Sequence, residues 1–152
     1  MRMILAAIFA LGVAGTAVAG QCYKRVYSDA HLKKNANQSV REMRLRMPSD
    51  PEGFASAWVK FRDSSRVYEQ SFNCYIVDDP EMPDATRSCS VDCDGGFFFF
   101  RPRDDGSVLL TTFGFIVSGG CGEEEETRNV ADEGSERTTF KLTKASLSEC
   151  RR

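Results

Sequence analysis

Glu42-Met43-Arg44-Leu45-Arg46-Met47 alternates charged and apolar side chains one for one. After the turn cluster at 48–53 the alternation resumes, with Ala55, Ala57, Val59 and Phe61 on one face. A period of two is that of a strand with one buried and one wet face. Working outward, Asp63-Ser64-Ser65 closes this hairpin, and Tyr68, Gln70, Phe72, Cys74 and Ile76 carry the pattern on. Residues 78–85, with their Pro and Asp, read as a longer loop and 86–92 as a narrow strand. Asp94-Gly95-Gly96 then turns the chain into Phe97, Phe98, Phe99 and Phe100. Residues 102–106 reverse it again into 108–117, Gly119-Gly120 ends that strand, and the last strands fall at 123–128 and 137–142. Upstream, Ser28 can cap a helix over 29–35, with Asp29 in its first turn and Lys33-Lys34 near its end, as the helix dipole prefers. About eight strands with short connections and one short N-terminal helix make an all-β, mainly antiparallel chain. The architecture expected is a disulfide-bonded β-sandwich or small barrel.

The 152 residues are 41% hydrophobic and 28% charged, with 20 basic and 22 acidic side chains. That composition fits one globular domain and is too apolar for a disordered tail. Its net charge of −2 argues against a nucleic-acid binder held by positive charge. Met1-Arg2, an uncharged Ala-rich run over 4–18 and Ala17-Val18-Ala19 read as a signal peptide over 1–19, of bacterial type, leaving 20–152 as a single β-domain. The run is shorter than the roughly 20 residues a spanning helix needs, and no second run of that length follows, so no transmembrane segment is expected. The expected location is periplasmic or secreted. A lipid anchor on Cys22 would need a small residue where Gln21 stands, and in a eukaryotic host Asn37-Gln38-Ser39 would be a glycosylation acceptor.

All six cysteines, Cys22, Cys74, Cys89, Cys93, Cys121 and Cys150, lie after the leader, and an even count in an oxidising compartment points to three disulfides. Cys22 and Cys150 bracket the domain, Cys74 and Cys89 sit on consecutive strands, and Cys93 and Cys121 remain, so the expected pairs are 22–150, 74–89 and 93–121. Zinc is disfavoured because the close pair Cys89 and Cys93 has no second pair of similar spacing and His31 is the single histidine. Ser90, Asp92, Asp94 and Gly95 match the start of an EF-hand loop, but Arg101 stands where the bidentate Glu belongs and a Phe strand replaces the helix. No metal or other cofactor is expected.

Four consecutive phenylalanines would expose two rings on a strand with one wet face. Either the strand is buried on both sides, under the N-terminal helix or a long loop, or Phe97, Phe98, Phe99 and Phe100 with Phe113 and Phe115 line an apolar cavity or docking surface. Leu109, Phe113, Phe115 and Val117 are expected on one face of the next strand, with Val108, Leu110 and Ile116 on the other.

Charge is uneven. Residues 21–60 carry eight basic and four acidic side chains, and 61–152 carry eleven and eighteen. The acids concentrate at 78–94 and 121–136. Were these segments to meet at one end of the domain, Asp78, Asp79, Asp92, Asp94, Glu123, Glu124, Glu125 and Glu126 would form an acidic rim able to steer a cationic partner. An enzyme finds little support: His31 lies on a short helix, no Gly-x-Ser-x-Gly elbow exists, no catalytic residue is assigned, and carboxylate pairs of the glycosidase kind can be drawn in any acidic protein.

A leader followed by a disulfide-bonded all-β domain of this size is similar to small periplasmic lysozyme inhibitors and other envelope β-proteins, a likeness of fold that marks no site residue. The expectation is therefore an exported, non-enzymatic binding module for a cationic partner at the cell envelope, inhibitor-like in kind. A carrier of a small apolar ligand is the alternative, and a hydrolase using acidic residues the third reading.

Overall fold

The computed structural model describes residues 20–92, 95–117 and 126–151. Eight strands close into an antiparallel barrel: β1 (Gln21–Val26), β2 (Val40–Met47), β3 (Gly53–Phe61), β4 (Val67–Ile76), β5 (Arg87–Ser90), β6 (Phe97–Pro102), β7 (Val108–Phe113) and β10 (Arg137–Ala145). Each strand pairs with its neighbour in sequence up to β7, β7 pairs with β10, and β10 returns to β1 with Cys22 opposite Ala145. Closure removes the free edges that a Phe-rich hairpin would otherwise offer to other chains. Between β7 and β10 lies a separate two-stranded ribbon of β8 (Ile116–Val117) and β9 (Arg128–Asn129).

The alternation read in the sequence sets what faces inward. Met43, Leu45 and Met47 of β2, Ala55, Ala57, Val59 and Phe61 of β3, and Tyr68, Phe72 and Cys74 of β4 all enter the main core. Phe98 and Phe100 of β6, Leu110 of β7 and Phe140 and Leu142 of β10 complete it. Phe72 meets Phe98 and Phe115 edge-on at centroid distances of 4.9 and 5.8 Å, the arrangement ring quadrupoles favour. Helix α1 (Asp29–Lys34) closes one end: the Ser28 side chain caps it by accepting the His31 N–H, and Leu32 and Tyr27 seal the core beneath it.

The expected pairs Cys22–Cys150 and Cys74–Cys89 are both formed; Cys93 and Cys121 lie outside the described residues. Cys22–Cys150 sits on the outer wall against Trp58, the single tryptophan, and ties β1 to the 3-10 turn Leu147–Glu149. Arg44 strengthens this tie by donating to the Glu149 and Arg151 carbonyls at 3.1 and 2.8 Å.

One expectation about facing is overturned. Phe113 and Phe115 do not share a face, because Gly114 between them has φ of +58°, a left-handed conformation that glycine adopts at no steric cost. The strand expected over 108–117 breaks there: Phe113 stays on the outer wall, and Phe115 and Val117 turn into the core. Gly96 approaches the same break so closely that a Cβ on it would lie 2.2 Å from the Gly114 carbonyl oxygen. Of the strand expected over 123–128, residues 123–125 lie outside the described residues, and β9 begins at Arg128.

Candidate functional site

Antiparallel order decides which loops can meet. Consecutive connections in a meander leave opposite ends of the barrel, so 77–86, which follows β4, and 91–96, which follows β5, are separated by a strand length. Of the acids expected to form one rim, Asp78 and Asp79 leave the end remote from α1, whereas Asp92 and Glu126 lie at the helix end. Asp94, Glu123, Glu124 and Glu125 lie outside the described residues.

At the helix end several charges are engaged. Arg128 grips Asp63 through both guanidinium arms at 2.8 and 2.9 Å while lying over the Phe61 ring, 4.1 Å from its centroid. That hydrogen-bonded guanidinium holds the Asp63 carboxyl below its usual range. Arg62 extends one nitrogen to the carbonyls of Asn35, Ala36 and Gln38, tying down the chain that leaves α1. Glu126 accepts from the Tyr68 hydroxyl at 3.0 Å and pairs with Arg66 at 3.7 Å. Among these groups runs a cleft of about 440 Å³, lined by Asn37, Ser39, Arg62, Asp63, Arg128 and Glu133 among others. Beside it, one carboxylate oxygen of Asp132 is buried without a partner, and desolvation raises that carboxyl above its ordinary range. His31 stacks on Tyr27 at 4.8 Å and shares a 2.9 Å hydrogen bond with Gln38, a packing role.

The opposite end is built differently. Residues 48–54, which lead into β3, and 75–86, which end β4 and run on to β5, contain six acids, Asp50, Glu52, Asp78, Asp79, Glu81 and Asp84, and no base; the second segment folds along the outer wall, where Met82 packs on Phe99 and accepts from Arg137 at 3.7 Å. None of the six takes part in an ion pair among the described residues. Asp79 accepts the backbone N–H of Glu81 at 2.8 Å, an Asx turn that shapes the loop without neutralising the charge. Within the same two segments three apolar side chains are exposed: Phe54 at 77%, Tyr75 at 53% and Ile76 at 61%. Phe54 faces Asn73 across the β3–β4 ladder, which puts Tyr75 diagonally beside it on the outer wall, within reach of an aromatic side chain. Arg87 pins the 48–52 turn from the adjoining strand by donating to the Pro48 carbonyl at 3.2 Å.

The six phenylalanines expected to line one apolar space divide between two. Phe98, Phe100 and Phe115 are in the barrel core. Phe97, Phe99 and Phe113 cluster on the outside, Phe97 and Phe113 stacked at 4.9 Å, and Met82 and Ala85 of the 77–86 connection cover Phe99. Phe98 and Phe99 are thus buried from both sides, one by the core and one by the long loop. Sequence reasoning missed Phe54 and Tyr75, although the signal was present: with Ala55, Ala57, Val59 and Phe61 inward, alternation puts Phe54 on the wet face, where a large ring has no structural work.

Arg101 lies on β6 and donates to Thr111 at 3.1 Å, consistent with a strand in place of a calcium loop. Among the described residues no three His, Cys, Asp or Glu side chains gather as a metal-binding group, and no helix is long and apolar enough to cross a membrane. No protein-family model matches this chain, and no curated protein or solved structure matches it.

Proposed function

We propose that this protein is an exported, non-enzymatic binding module that holds a cationic protein at the cell envelope through the barrel end formed by 48–54 and 75–86. The reading is carried by one observation: the six carboxylates of these two segments, with no base within either segment, take part in no ion pair among the described residues, whereas Asp63 and Glu126 at the other end are matched with Arg128 and Arg66. A field of one sign steers an oppositely charged protein toward it and repels like-charged ones. Export is supported by the leader-like first nineteen residues and by two disulfides, which persist in oxidising compartments.

The test compares the native chain with a sixfold carboxamide variant, D50N/E52Q/D78N/D79N/E81Q/D84N, as baits for an envelope extract of its own host. The expected result is a basic protein retained by the native chain at low ionic strength, released by salt, and not retained by the variant. An identical retained set on both baits overturns the proposal.

A further inference from the structure

We infer that Phe54 and Tyr75 are the apolar anchor of that interface and that its occupant is a folded protein whose own apolar surface is bordered by lysine and arginine. The inference rests on the cationic-partner reading and adds what kind of surface the partner must present. Binding energy in protein interfaces concentrates in a few large, rigid side chains surrounded by polar contacts that exclude water, and tyrosine is among the residues enriched there. The acidic end has that layout. Phe54 and Tyr75 are diagonal neighbours on the outer wall, and the chain carries Asp50 and Glu52 just before Phe54 and Asp78 and Asp79 just after Tyr75.

Rigidity favours the same conclusion. Phe54 is paired with Asn73 of β4 and Tyr75 with Ser88 of β5, and the Cys74–Cys89 bridge adjoins Tyr75. Little conformational entropy is then lost when they are covered. Other occupants fit the charge less well. An anionic lipid surface would be repelled by six carboxylates, although exposed aromatic side chains alone would suit a membrane. A second copy joined through the same face would set six acids against six. A flexible polycation would satisfy the rim and leave the rings uncovered.

The experiment places photoreactive benzoylphenylalanine at position 54, at 75 and, as a control, at Val67, an apolar side chain 44% exposed at the helix end of the same barrel. The full-length protein is irradiated in its host. A basic protein crosslinked from 54 and 75, absent from 67 and lost in the carboxamide variant, is the expected result. Crosslinks only to lipid, only to a second copy, or equally from 67 overturn the inference.

The crosslinked protein, purified, is then titrated against Phe54→Ser and Tyr75→Ser variants. Affinity is expected to fall by at least ~10-fold in each at both low and high salt, with the thermal midpoint of each variant unchanged. Salt-dependent binding that survives both substitutions removes the anchor and leaves the cationic-partner reading standing. Binding that neither salt nor the carboxamides weaken removes that reading itself.

Discussion

The two ends of the barrel use their charged side chains in different ways. At the helix end Arg62, Arg66 and Arg128 are occupied with Asp63, Glu126 and backbone carbonyls, and the aromatic side chains beneath them are buried. At the other end the six acids of 48–54 and 75–86 take part in no ion pair among the described residues, although Asp105 of the β6–β7 connection pairs with Lys141, and Phe54, Tyr75 and Ile76 are exposed. The scaffolding differs too. Cys22 lies at the start of β1 and Cys74 near the end of β4, so the two disulfides among the described residues are toward the acidic end, while the described residues of the helix end are held by caps, ring contacts and ion pairs. Charges committed to one another stabilise a fold, and charges left uncommitted on a covalently braced frame remain available to a partner.

The bridges give the largest expected effect with which to break this contrast. Removing Cys22–Cys150, which closes a 128-residue separation, should cost up to about 5 kcal/mol in the chain-entropy picture. Removing Cys74–Cys89, with a separation of 15, should cost up to about 3 kcal/mol. Urea midpoints of the paired Cys→Ala variants measure both, and equal losses would contradict the ordering.

Arg128→Ala comes next, because it deletes a two-armed hydrogen bond and a guanidinium lying over Phe61 and uncovers the ring. A loss of roughly 1–3 kcal/mol is expected by the same assay. A variant as stable as the native chain would show that the helix end does not rely on its paired charges.

Acid titration of this pair sharpens the point at smaller amplitude. Since Arg128 depresses the Asp63 carboxyl below its reference value of 3.8, the pair stabilises fully above that pH, and its contribution is lost as pH falls through the folded-state pKa. The Asp63→Asn variant should therefore be less stable than the native chain at neutral pH, with the difference closing at the acid end of a series of urea melts. A constant difference across the series would refute the linkage.

Smallest of all, Phe54→Ser and Tyr75→Ser should leave stability within about ±0.5 kcal/mol, since both side chains are largely in solvent. A marked loss in either would mean that these side chains support the fold and are not held in reserve for a partner.

Much of this was legible in the chain. Alternation around Met43, Leu45 and Met47 and from Ala55 to Phe61 assigns inner and outer faces correctly, because side-chain direction in a strand is fixed by the backbone alone. The Ser28 cap and two cysteine pairings were also readable, the latter because Cys22 and Cys150 bracket the domain and Cys74 and Cys89 fall on hairpin neighbours. The grouping of acids was not. Charge density along the sequence put Asp78 and Asp79 with Asp92, and strand order sent them to opposite ends. The facing of Phe115 escaped because periodicity assumes an unbroken strand, and a single positive φ at Gly114 reverses it.

By itself, then, the sequence determined the strand class, the faces of the long strands, the capped helix and the covalent tie between the ends of the domain, all of which follow from local periodicity and residue chemistry. Only the tertiary structure decided that the sheet closes through β1 and β10, that the 77–86 connection covers Phe99, and that Phe54 and Tyr75 stand beside each other on the outer wall. Those are contacts between residues distant in sequence. They depend on which strand lies beside which, and a pattern of period two is silent about that.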